Sequence, residues 1–290
     1  MRVVVLGATG TIGRALVPAL ALEHEVVAVS RRPRDDEQGV RRKTADVTSG
    51  EGLAAALRGA DVVYHLVHSL GAADFEATDR RAAENVAREA EAAGAEQIVY
   101  LGGLGDDSPD LSAHLRSRRE TGEVLAAGAV PTTTLRAAMV VGRGSAAFET
   151  IVALVDRLPV MVTPRWVDTQ TQPVALGDLV AFLAGVCGRS EARGQAFDVG
   201  GPEVMTYREM MERIAALRGR RPVIVPVPVL SPRLSSLWLG LVTPVNAAVA
   251  RPLVEGLRNR TVAGDDRIRA LVPRDLTPFD QAARLALSGG

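Results

Sequence analysis

Gly7, Gly10 and Gly13 recur at a spacing of three, directly after the apolar run Val3-Val4-Val5-Leu6. That run is rich in β-branched residues, as expected of a strand buried on both faces of a parallel sheet. From Thr11 to Leu20 the apolar residues then take helical spacing. A strand, a tight turn and a helix start gather free backbone N–H groups and the positive end of a helix dipole around one point. This chemistry suits the diphosphate of a dinucleotide. Gly7 is expected to make the turn, Gly10 to let phosphates approach the main chain, and Gly13 to let the helix pack on the sheet. Thr9, Thr11 and Ile12 complete the loop.

Other candidate ligands of a dinucleotide fall at the carboxyl ends of later strands. The segment Glu25 to Val29 reads as a second strand and ends in Ser30-Arg31-Arg32. Proteins that prefer NAD usually carry an acidic residue here for the ribose hydroxyls. Two guanidinium groups suit a 2′-phosphate instead, which favours NADP(H) over NAD(H). A third strand, Arg42 to Ala45, ends in Asp46-Val47. Asp46 either bonds the adenine amino group or caps a helix beginning near Ser49. A fourth strand, Asp61 to Val67, carries Leu66 and Val67 into His68 and Ser69, near the ribose–nicotinamide half of such a site. His65 reads as a core histidine. Gly102, after the strand Gln97 to Leu101, joins the cofactor set.

The elements that must position these residues follow a βαβ rhythm for about two hundred residues. They predict an α/β fold, a Rossmann doubly wound parallel sheet with a smaller, mostly helical C-terminal lobe over the substrate. Residues 1–142 with 171–200 form the dinucleotide-binding core, and 143–170 with 201–290 form the lobe. Helices are expected over Ala72 to Gly94, Ser112 to Ala127, Phe148 to Leu158 and Gly177 to Cys187. Strands are expected at Thr132 to Leu135, extending toward Gly142, and at Ala196 to Val199. An irregular section holds Pro159, Pro164, Arg165 and Trp166. Thr206 and Glu209 form a capping box for a helix running to about Leu217.

Composition narrows the partners. Thirty-four basic residues balance thirty-four acidic ones, with no basic excess of the kind nucleic-acid binding requires. The four histidines show no metal-ligand spacing with Cys187 or a carboxylate cluster, so no metal is expected. Cys187 lies in an apolar run and is expected to pack. The most apolar stretch, Leu237 to Ala250, is broken by Pro244 and Asn246. It reads as buried or interfacial rather than transmembrane. A chain opening directly on a buried strand leaves no room for a signal peptide, so a cytoplasmic monomer or homodimer is expected.

With these residues in view the chain resembles the short-chain dehydrogenase/reductase superfamily in its extended and atypical branches, and most of all NmrA-like NAD(P)-binding proteins. The resemblance rests on GATGTIG at 7–13, ADVTS at 45–49, DVVYHLVHS at 61–69, QIVYLGG at 97–103, TLRAAMVVG at 134–142 and AFDVGGPEVMTYREM at 196–210. It implies a serine, a tyrosine and, four residues on, a lysine, the tyrosine moving the substrate proton. Here His114 stands in the tyrosine place, Arg118 in the lysine place, and Gly102-Gly103 where the serine falls. All three usual groups are missing. His114, Arg118 and His68 are the remaining candidates for catalysis. Two functions follow. One is an NADPH-dependent reductase of an apolar carbonyl, quinone or enone. The other is a non-catalytic NADP(H)-sensing regulator or assembly partner.

Overall fold

The structure, a computed structural model, describes residues 1–37, 39–72, 74–105, 110–227 and 255–288. The apolar segment 237–250, Trp238, Pro228 and Pro232 lie outside the described residues. In chain order the first half contains β1 (Arg2–Leu6), α1 (Thr11–Leu20), β2 (Glu25–Ser30), β3 (Val40–Thr44), α2 (Leu53–Leu57), β4 (Val62–His65), α3 (Phe75–Ala92), β5 (Gln97–Gly103), α4 (Ala113–Ala126) and β6 (Thr132–Ala137). The second half adds β7 (Val140–Val141), α5 (Ala146–Arg157), β8 (Val160–Pro164), β9 (Gln170–Thr171), β10 (Val174–Ala175), α6 (Leu176–Gly185), β11 (Ala196–Val199), β12 (Met205–Thr206), α7 (Tyr207–Leu217), β13 (Val223–Val227), α8 (Arg267–Leu271) and α9 (Phe279–Ser288).

Seven strands form one parallel sheet in the order β11-β6-β5-β4-β1-β2-β3. The chain builds outward from β1 through β2 and β3, then crosses back to β4 on the other side of β1. The crevice beyond the carboxyl ends of β1 and β4 is therefore the topological switch point, where ligands bind in doubly wound sheets. Side-chain alternation explains why β1 sits at the centre. Val3 and Val5 face one hydrophobic cluster, with Leu16, Leu20, Leu179 and Leu183 of α1 and α6. Val4 and Leu6 face the opposite cluster, with Leu53, Ala82, Val86 and Leu125 of α2, α3 and α4. All four strand residues are fully buried, each contributing about 1.5–3 kcal/mol.

A third cluster lies beyond the sheet, built from Phe148, Ile151 and Leu154 of α5, Met210, Met211 and Ile214 of α7, and Phe279 of α9. Its entry into α7 is fixed by the expected capping box: Glu209 N–H donates to Thr206 Oγ1 at 3.1 Å, and Thr206 N–H donates to Glu209 Oε2 at 2.7 Å.

Several boundaries depart from the sequence reading for local reasons. Pro159 to Pro164 is not irregular: Val160–Pro164 is a strand, parallel to Val223–Val227. Prolines within each segment hid the pair, since proline is tolerated only at edges and strand ends. The helix expected near Ser49 starts at Leu53, after Gly50 and Gly52, both at positive φ. The strand after β6 breaks, and β7 pairs with β10 rather than with the main sheet. The long helix begins at Phe75, where Asp74 accepts the Ala77 N–H at 3.3 Å.

Candidate functional site

The glycine turn behaves as its spacing requires. Gly7 has φ +86°, a conformation that L side chains rarely adopt. A Cβ on Gly13 would overlap the Gly7 carbonyl oxygen and stand 2.6 Å from Ala8 Cα, so only glycine lets α1 sit this close to the turn. Gly10 is the N-cap of α1, which has no side-chain cap and no acidic residue in its first turn. The first-turn amides therefore keep their donors for an incoming acceptor. A diphosphate, with several anionic oxygens, fits this cradle.

Two cavities meet at the turn. The first, about 690 Å³, runs from Gly7, Thr9 and Gly10 past Ser30 and Arg31 to Asp46 and Val47, with Leu66, Val67 and His68 on its wall. The second, about 490 Å³, holds Gly7, Gly10, Thr11, Ile12 and Gly13 on one side and Gly102, His114 and Arg118 on the other. Gly7, Gly10, Leu66 and His68 line both. A dinucleotide laid across the shared glycines would place its adenosine half in the first cavity and its nicotinamide in the second.

Of the expected cofactor residues, only Arg32 lines neither cavity; its carbonyl instead accepts the Ser30 hydroxyl at 2.8 Å. Asp46 Oδ1 accepts the Thr48 N–H at 2.7 Å, so the carboxylate shapes its own turn while bordering the first cavity. Thr11 Oγ1 donates to the Gly144 carbonyl at 2.6 Å and ties α1 to the loop before α5.

The catalytic candidates come together around α4, whose N-cap Ser112 accepts the Leu115 N–H at 3.3 Å. Helical i,i+4 spacing brings His114 and Arg118 to the second cavity. Arg118 is buried; it donates to the Leu101 carbonyl, and its guanidinium carbon lies 5.0 Å from the Tyr100 ring centroid. The serine place cannot be refilled at Gly103 without displacement, since a Cβ there would stand 2.9 Å from Leu115 Cδ2. The setting of His114 fixes its protonation state. Burial, with the positive field of His68 and Arg118, holds its pKa down at about 3, leaving the ring neutral at neutral pH. His65, fully buried and stacked at 5.9 Å on Tyr100, is held at about 4, first by burial and then by Arg118.

Sequence reasoning missed Asp79. It is buried on α3, where its Oδ2 meets His68 Nδ1 at 3.0 Å and its Oδ1 accepts the Ser69 N–H at 2.9 Å. Ser117 of α4 donates to the same Oδ2 at 3.3 Å. A signal was present: Asp79 shares the face of Ala82, Ala83 and Val86, an acid on a stripe that must be buried.

The lining of the second cavity beyond these groups is mostly apolar, with Leu104, Leu115, Met139, Val140 and Leu257. Among the described residues no helix is long and apolar enough to cross a membrane.

Comparison with known proteins agrees with this geometry. A family described as NAD(P)H-binding matches residues 7–146. The chain is 28% identical over 231 residues to a (4-alkanoyl-5-oxo-2,5-dihydrofuran-3-yl)methyl phosphate reductase of Streptomyces griseus, covering 75% of this chain and 74% of that protein. It is 29% identical over 250 residues to a ceramide reductase of Caulobacter vibrioides, covering 78% and 73%. Among solved structures, the NADPH-dependent quinone oxidoreductase of Escherichia coli complexed with NADPH superposes with TM-score 0.78 at 20% identity, covering 98% of both chains. The Citrobacter triphenylmethane reductase complexed with NADP(H) gives 0.77 at 19%, covering 99% and 100%. Residues 7–146 thus match an NAD(P)H-binding family, and the chain shares its Rossmann-type fold with solved reductases and a nucleoside-diphosphate-sugar epimerase of Staphylococcus aureus.

Proposed function

We propose that this protein is an NADPH-dependent reductase of a small apolar carbonyl, quinone or enone, working without the serine–tyrosine–lysine group. The observation that carries the reading is the second cavity: it joins the glycine turn to His114 and Arg118 and is otherwise walled by Leu104, Met139, Val140 and Leu257. NADPH, when bound, supplies the hydride. The residues of the chain supply the rest. The turn at Gly7 and the first-turn amides of α1 hold the diphosphate, and Arg31 faces the adenosine end where a 2′-phosphate would lie. Arg118 gives the cavity a fixed positive charge toward which electron density can move on reduction. The apolar walls admit an uncharged substrate and exclude water. The described residues of the expected lobe cover this end of the site, with Tyr207 and Leu257 lining the cavity.

The test is a panel of quinones, enones and apolar ketones with purified protein, followed by loss of NADPH absorbance. Turnover of at least one class is expected, with NADPH preferred over NADH. Protein that binds NADPH tightly and oxidises it with none of the panel would favour a non-catalytic sensor instead.

A further inference from the structure

Around His68 the structure gathers more titratable groups than cofactor binding alone requires. Asp79 faces it from α3, His114 and Arg118 from α4, and His65 from β4, while Ser117 of α4 donates to Asp79. The His68 and His114 rings lie 5.0 Å apart between centroids, tilted by 33°. That is close to the span of two five-membered rings joined by an N–H···N bond of about 2.9 Å. His68 Nε2 and His114 Nδ1 are both buried, and neither finds a hydrogen-bond partner among the described residues. Two adjacent rings, each with one orphaned nitrogen, are poised to satisfy each other after a small ring rotation.

We propose that Asp79, His68 and His114 form a proton-delivery chain into the second cavity, with His114 the catalytic residue and Asp79 a positioning residue that acts through His68. The proposal rests on the reductase reading above.

The tautomers follow from the hydrogen bonds. Asp79 already accepts from Ser69 N–H and Ser117 Oγ, and the bonds from His68 and Ser69 outweigh burial to hold its carboxyl below its usual range. An ionised carboxylate only accepts, so His68 carries a proton on Nδ1. Its Nε2 is left to face His114. In the charged state His68 holds protons on both nitrogens, and His114 holds one on Nε2. As hydride reaches the substrate carbon, the His114 Nε2–H bond breaks and that proton joins the anionic centre of the reduced substrate. In the same movement the His68 Nε2–H bond breaks and its proton forms His114 Nδ1–H. Both rings end neutral, Asp79 stays ionised, and charge is conserved. His68 also lines the first cavity, which gives it a route to solvent for recharging. Burial first and then Arg118 outweigh the Asp79 bond and hold the His68 pKa below its usual value. An anionic diphosphate beside the shared glycines adds to the side of Asp79.

The experiment is nitrogen NMR of the full chain labelled at histidine, with and without NADPH, on wild type, His68→Asn and Asp79→Asn. Expected are an Nδ1–H tautomer for neutral His68, a His68 midpoint that rises with NADPH, and His114 resonances that follow the His68 titration. In His68→Asn the His114 response disappears, and in Asp79→Asn the His68 midpoint falls by about one pH unit or more. Should Asp79→Asn fail to fold, Ser117→Ala replaces it; freeing Asp79 from one donor is expected to raise the His68 midpoint. An Nε2–H tautomer at His68, His114 resonances indifferent to His68→Asn, or a His68 midpoint unmoved by these variants would each overturn the chain. A kinetic arm uses 1,4-naphthoquinone as probe. Asp79→Asn is expected to lower kcat about 10–100-fold at unchanged KM, with partial rescue by Asp79→Glu. Equal loss in Asp79→Glu and Asp79→Asn would point to mere structural damage. Coupled titration without any quinone turnover would count against the reductase reading, whereas turnover without coupling would count against the chain.

Discussion

Replacing Gly13 by alanine puts two opposed effects on one atom. Within a helix, glycine to alanine favours the helix by about 1 kcal/mol. At Gly13 the added methyl would overlap the Gly7 carbonyl oxygen and stand 2.6 Å from Ala8 Cα and 2.8 Å from the Ala8 carbonyl carbon. These neighbours are main chain and cannot swing aside as a flexible side chain would. Overpacking of this kind costs about 1–3 kcal/mol, and here the upper part of the range applies. A net destabilisation of about 1–2 kcal/mol is expected by urea unfolding. The relief must come from movement of the turn, so NADPH affinity measured by calorimetry should also fall about tenfold or more, about 1.4 kcal/mol. Gly177→Ala is the matched control. Nothing lies within 4 Å of its Cβ, so it should gain up to about 1 kcal/mol from helix propensity and leave NADPH binding untouched. Gly13→Ala protein that is as stable as wild type and binds NADPH equally well would refute the reasoning.

Arg31→Ala should weaken NADPH by about 1–2 kcal/mol and NADH little, with Arg32→Ala a smaller effect, since only Arg31 lines the first cavity; equal loss for both cofactors would show that Arg31 does not read the 2′-phosphate. Stability should fall in mild acid. His65 and His114 bind protons more weakly folded than unfolded, so their contribution is complete above about 6.5 and lost as pH falls toward about 4 for His65 and about 3 for His114. His65→Gln and His114→Gln should each flatten the dependence of the urea midpoint on pH across that window, and an unchanged slope would be the contrary result. Arg118→Leu removes the donor to the Leu101 carbonyl and the cation over Tyr100, and about 1–3 kcal/mol should be lost in the same assay.

Local chemistry made much of the sheet legible. The β-branched run before Gly7, the alternation that puts Val3 and Val5 on one face, and the capping box at Thr206 each carry their own signal, and each appears in the structure. The glycine turn was legible for the same reason, because its glycines answer to contacts within a few residues of themselves. The β8–β13 pair was not, since its partners are about sixty residues apart and each carries a proline. Nor was the neutral state of His114, which follows from burial beside His68 and Arg118, a property of packing rather than of spacing. Asp79 lies between these cases. Its place on the buried stripe of α3 could be read, but its bond to His68 depends on how the loop after β4 folds against α3, and its bond to Ser117 on the packing of α3 against α4.

The most direct test of the reading is a crystal structure with NADPH bound. The diphosphate should rest on the main-chain amides after Gly7, the 2′-phosphate should face Arg31, and the nicotinamide C4 should open onto the cavity between His114, Arg118 and Met139. A nicotinamide ring lying outside that cavity, or turned so that C4 faces the sheet, would contradict it.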